Sequence, residues 1–135
     1  MSVAGINQDD TIGGFVDERL RFVKHKGHVI YLVDFSHCKA KEMLVLLEQI
    51  RMVVARQAPG SLLTLGDFTG AEIDRNVVTR LKEVLTLDRP YVKRSAWVGA
   101  ESLPHIFQEH IKNFSQRDFP TFRTREEAME WLVGE

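Results

Sequence analysis

Cysteine is nearly absent: Cys38 is the single one in 135 residues. One thiol excludes an internal disulfide framework and any CxxC metal or redox pair. Long apolar runs are missing too. None approaches the roughly 20 residues that a membrane-spanning helix needs. The N-terminus lacks the charged and apolar blocks of a signal peptide. Neither sign of charge dominates: 18 Lys and Arg face 19 Asp and Glu, for a net charge of -1. That balance provides no global field towards nucleic acid or an anionic membrane. By elimination the expectation is a cytoplasmic protein with no nucleic-acid partner and no membrane span. Gly66, Gly70 and Gly99 form neither GxGxxG nor a P-loop. His25, His28, His105 and His110 lack metal-ligand spacing, and the last two fall on different faces of a helix. No metal and no cofactor is expected.

What is present is ordinary for a globular chain: 44% hydrophobic and 27% charged residues. The length suits one domain with a real core. Residues 1–14 carry Gly5, Gly13, Gly14, Asp9 and Asp10 with no apolar period, and read as a flexible N-terminal segment. Residues 15–135 read as a single α/β domain.

The chain is organised around Ser61 to Asn76, SLLTLGDFTGAEIDRN. An apolar run ends at Gly66-Asp67, breaks again at Thr69-Gly70, and leads to Asp74 or Asn76 as a helix cap. Such strand-end loops are where α/β proteins place ligands and partner contacts. Before it, Leu20–Val23 suits an edge strand, Lys24 to Gly27 a turn, and the continuous run Val29–Val33 a strand buried on both faces. Met43, Leu46, Leu47, Ile50, Val53 and Val54 recur at helical spacing within Lys39–Gln57. A second helix is expected from Arg75 to Leu85, with Asp88-Arg89-Pro90 closing that unit. Ala96–Val98 suits a short strand. A third helix is expected with Ser102 as its cap and a stripe of Leu103, Ile106, Phe107, Ile111 and Phe114. Phe119–Phe122 is the last strand, and Thr124 with Glu127 opens a final helix burying Ala128, Trp131 and Leu132. The order β-β-α-β-α-β-α-β-α predicts a five-stranded, mostly parallel sheet with an antiparallel first edge strand.

VIYLVDFS at 29–36, LLTLGDFTGAEID at 62–74, PYVKRSAWVG at 90–99 and TREEAMEWLV at 124–133 resemble the SpoIIAA-like proteins. These are relatives of the STAS domain of anti-sigma factor antagonists, with a fold similar to CRAL-TRIO lipid-binding domains. The resemblance implies a regulatory rather than catalytic protein. It also implies a phosphorylatable Ser or Thr beside an Asp at the helix start after the third strand. Asp74 matches that Asp, but Arg75 and Asn76 follow it and carry no hydroxyl, so the switch does not transfer. Thr69 and Thr79 sit outside the motif position.

Several groups are candidates for chemistry. Asp34, Asp67 and Asp74 all fall at the strand-end edge, where three carboxylates could hold a cation or act as acid and base. As cap and turn formers they need no such role. His37-Cys38 has no third residue to orient it as a catalytic pair, and Cys38 suits the core. Arg89, Tyr91, Lys93 and Arg94 make a basic-aromatic patch able to contact a phosphate or an acidic partner, or a solvated loop. The leading reading is a non-enzymatic regulatory or protein-interaction module. Its partner protein would meet Asp67, Thr69, Gly70, Asp74, Arg75 and Asn76, with Arg89, Lys93 and Arg94 as an anion contact. The alternative is a small-ligand or lipid-binding domain with a pocket between helices and sheet, recognisable by an apolar cavity of roughly 300 Å³ or more. In the third strand Leu63 and Leu65 share one face, and Leu62, Thr64 and Gly66 the other. One-directional crossovers would leave the weaker face thinly covered, from which a homodimer is expected, through that face or the edge of the first hairpin.

Overall fold

The computed structural model describes residues 18–134; the segment 1–14 lies outside them. Strand β1 (Leu20–His25) and strand β2 (His28–Asp34) form an antiparallel hairpin. Lys26 and Gly27 both take positive φ, the geometry of a two-residue turn whose twist matches the strands. Helix α1 (Ala40–Val54) follows, then β3 (Leu62–Asp67), α2 (Arg75–Asp88), β4 (Val92–Val98), α3 (His105–Ser115), the short β5 (Thr121–Phe122) and α4 (Arg125–Val133). The five strands lie in chain order, and every pair after the first is parallel. The element order and the antiparallel edge strand agree with the sequence reading.

Two cores lie on the two faces of the sheet. On one, Tyr31, Val33, Leu62 and Trp97 pack with the apolar stripes of α1, α2 and α3. On the other, Ile30, Leu32, Leu63, Leu65, Ala96 and Val98 are covered by Ala128 and Leu132 of α4. This corrects the expectation of a thinly covered weak face. The face of Leu62, Thr64 and Gly66 is the one that three helices cover. Its small residues are what admit bulk: a Cβ on Gly66 would meet the rings of Phe68 and Trp97 at 3.3 Å. The Leu63 and Leu65 face is covered by the last helix. The apolar area that argued for a dimer through a sheet face is therefore filled from within the chain.

Four local readings are also corrected. The strand expected at Ala96–Val98 begins at Val92, so Lys93 and Arg94 belong to a strand and not a solvated loop. Their polarity hid it, because β5 pairs only with Trp97 and Val98 and leaves the first half of β4 at an edge. Helix α3 is preceded by Pro104 in the cap position rather than by Ser102. Its stripe is narrower than expected: Ile111 is buried and Phe107 partly so, while Ile106 and Phe114 are exposed. Trp131 of α4 is partly exposed, with Arg94 over its ring at 5.1 Å, rather than in the core.

Candidate functional site

The strand-end edge repeats one device twice. Asp34 and Asp67 are register partners at the ends of β2 and β3. Asp34 Oδ1 accepts from the Ser36 N–H at 2.9 Å and the Ser36 hydroxyl at 2.6 Å. Asp67 Oδ1 accepts from the Thr69 N–H at 3.0 Å and the Thr69 hydroxyl at 2.7 Å. These local bonds end each strand in the same tight turn. The sheet ladder then carries on through the loops: Phe35 N donates to Asp67 O, His37 N to Thr69 O and Phe68 N to Val98 O, each at 2.8 Å.

Arg125, in the first turn of α4, joins the two aspartates. Its Nε donates to Asp67 Oδ2 at 2.8 Å, and its Nη2 lies 3.1 Å from Asp34 Oδ1. Arg19 adds bonds to the carbonyls of Asp34 and Ser36. Burial raises the Asp34 carboxyl, but the Ser36 bonds and the Arg125 charge outweigh it and hold the group below its ordinary value. Asp67 is buried, not in a solvated turn. The three aspartates do not converge on a cation site. Two are held by Arg125, and Asp74 caps α2 by accepting from the Val77 N–H at 2.8 Å. No cluster of three or more metal-ligating acids, histidines or cysteines occurs among the described residues.

Of the expected contact residues, Thr69, Gly70, Asp74, Arg75 and Asn76 are exposed on one loop and helix start, and Asp67 lies beneath them. His37 is exposed at positive φ and packs against Gly70, where any Cβ would strike its ring. Cys38 is fully buried in the three-helix core, and burial raises its thiol pKa. His105 and His110 are exposed on α3.

The other end of the sheet holds an open cleft of about 600 Å³. The first half of β4 forms one wall, the end of α3 with the segment 117–120 another, and Trp131 of α4 a third. Arg89, Lys93 and Arg94, singled out in the sequence, all line it, and the fold adds Lys112 and Arg117. Among the described residues Asp118 is the one carboxylate there, 3.6 Å from Lys112 Nζ. Arg94 Nη1 donates to the carbonyls of Trp131 and Gly134 at the end of α4, a favourable place for a cation. Arg117 Nη1 donates to Leu85 O at 2.8 Å and Nη2 to the Ser95 hydroxyl at 2.6 Å, and its guanidinium lies over Phe119. Arg89 and Lys93 are exposed, and their side chains make no hydrogen bond or ion pair among the described residues. Arg117 was missed because it sits in a loop with no periodicity. Trp131 has the spacing of a core residue, yet it stands at the cleft wall.

Between the sheet and helices α1 and α2 the remaining space is about 60 Å³. Tyr31, Thr64, Asp88, Ser95 and Arg117 are its polar lining. The Tyr31 hydroxyl has no hydrogen-bond partner among the described residues, and burial and the Asp88 charge raise its pKa. Asp88 accepts from Arg51, yet burial outweighs that bond and raises its carboxyl pKa.

Comparison of the chain with protein-family models, with curated proteins and with solved structures finds no match.

Proposed function

We propose that this chain is a non-enzymatic protein-interaction module of the STAS type that takes an acidic segment of a partner protein into the basic cleft. The observation that carries this reading is the charge of that cleft. Among the described residues five cations line it against one carboxylate, on a chain whose net charge is -1. Local charge of one sign steers an oppositely charged partner and fixes its register. At the opposite end, Asp34 and Asp67 are already paired with Arg125, so their charge serves the fold. The interior space of about 60 Å³ favours this reading over a lipid-binding pocket, which needs roughly 300 Å³. With Arg75 and Asn76 at the helix start, the module works without the usual phosphorylation switch there.

The test is fluorescence anisotropy with a labelled glutamate-rich peptide at low and high salt. Binding should weaken as salt rises and fall at least tenfold in the double variant R89E/K93E. Both residues are exposed, so the variant should keep its fold. Equal binding by wild type and double variant would remove the cleft from the reading.

A further inference from the structure

We propose that the group read by the cleft is a phosphate monoester on the partner segment, with Arg117 as its anchor; this rests on the acidic-partner reading above. Arg117 is partly buried in the cleft wall, and both of its hydrogen-bond partners, Leu85 O and the Ser95 hydroxyl, are neutral. No carboxylate lies within ion-pair distance of it among the described residues. The acid that acts on it electrostatically, Asp88, is itself held by Arg51. Burial, joined by the nearby positive charge of Arg89 and opposed by Asp88, lowers the Arg117 pKa to about 10. A partly buried cation without a directly bonded counter-ion costs stability until an anion supplies one.

Arg117 is not alone in this. Arg89, Lys93 and Arg94 also lack a carboxylate partner among the described residues, Arg94 bonding only backbone carbonyls, whereas Lys112 has Asp118. One carboxylate of a partner would neutralise one of the four. A phosphate monoester carries about −1.5 to −2 charges near neutral pH and three acceptor oxygens. Arginine presents a planar fork of donors suited to those oxygens. Phe119 and Trp131 add apolar wall beside the cations, which lowers the local dielectric and strengthens each charged contact. The cations facing the group are Arg89, Lys93 and Arg94 from β4 and its approach, Lys112 from α3 and Arg117 from the following loop; among the described residues Asp118 is the sole anion and no histidine lines the cleft. Any change in binding between pH 5 and 7 therefore comes from the ligand, whose second phosphate ionisation lies near pH 6.

Three degenerate peptide pools, identical apart from a central phosphoserine, glutamate or serine, test this by affinity and pH profile. The phosphoserine pool should bind at least tenfold tighter than the glutamate pool, and tighten from pH 5 to pH 7. The glutamate pool should stay flat over that range. K93E should cost tenfold or more for the phosphoserine pool, as should R117Q, and R117K should not restore the loss, because a single ammonium cannot replace the fork. K93E is at an exposed position and carries the test should R117Q fail to fold. Equal affinity for the phosphoserine and glutamate pools overturns the phosphate inference and leaves the acidic-partner reading standing. Binding of neither pool overturns both. Free O-phosphoserine binding as tightly as its pool overturns the partner segment and leaves a small phosphate ester as ligand.

Discussion

At the residue scale, two positions show how local chemistry sets the strand-end loops. Gly99 closes β4 at φ 71°, and a Cβ there would lie 2.5 Å from the Thr69 backbone nitrogen and 2.7 Å from Thr69 Cα. Backbone cannot give way as a flexible side chain can. Gly27 has a similar φ but open space around it. Gly27→Ala should therefore cost only the left-handed strain, about 1 kcal/mol, and Gly99→Ala about 3 kcal/mol or more. Urea unfolding of both variants checks the order; equal losses would mean the loops are not in contact. Asp34 gives a pH signature. Its folded pKa lies below the unfolded value, so its contribution is present above about pH 4 and is lost as pH falls. Asp34→Asn should cost about 1–3 kcal/mol at pH 7 and progressively less towards pH 2. Asp88 works in the opposite direction: its raised pKa means that acidification relieves a buried charge. A gap between wild type and Asp34→Asn that stayed constant with pH would contradict the assignment of the Asp34 shift.

At the element scale, α4 is the piece least determined by its own sequence. Two of its residues, Ala128 and Leu132, are buried. Its start is fixed by Thr124, whose hydroxyl accepts from the Glu127 N–H at 3.1 Å, and by Arg125 gripping two strands. Arg125→Ala should cost about 3 kcal/mol, because it leaves the buried Asp67 carboxylate without its counter-ion. Hydrogen exchange should then show α4 and the second core face opening before β2 and β3 do. Uniform loss of protection would mean that the clamp does not hold α4 in particular. The hydroxyl of Thr124 and the carboxylate of Glu127 were legible as a cap, since a cap is local. The clamp was not, because Arg125 and Asp67 are 58 residues apart and no local pattern joins them. The same limit explains β4. VIYLV announced β2 because it is buried on both faces, whereas Val92–Ser95 runs along an edge and its sequence reads as a loop. Asp74 was legible as a cap for the reason Thr124 was.

At the scale of the whole molecule, the element order and the mixed sheet followed from alternating apolar segments, because periodicity and connection length constrain topology directly. Which face each helix covers did not follow. Leu63 and Leu65 attract a helix from either direction, and only the path of the chain decides it. With α4 on that face, sedimentation equilibrium at micromolar concentration should give a mass near the 15.5 kDa of one chain. A two-chain mass would place the second copy on the first hairpin, where Phe22 and Val29 are about half exposed. The basic cleft was half legible. Arg89, Lys93 and Arg94 are neighbours in sequence, but Lys112, Arg117 and Trp131 reach it only through the fold. The central claim is that this cleft, and not the strand-end loop, meets the partner. The most direct measurement is a titration of the isotope-labelled protein with a glutamate-rich peptide, followed by backbone amide chemical shifts. The account predicts shifts confined to residues 89–95, 112–120 and 131, suppressed at high salt. Shifts concentrated at residues 69–76, or none at saturating peptide, would contradict it.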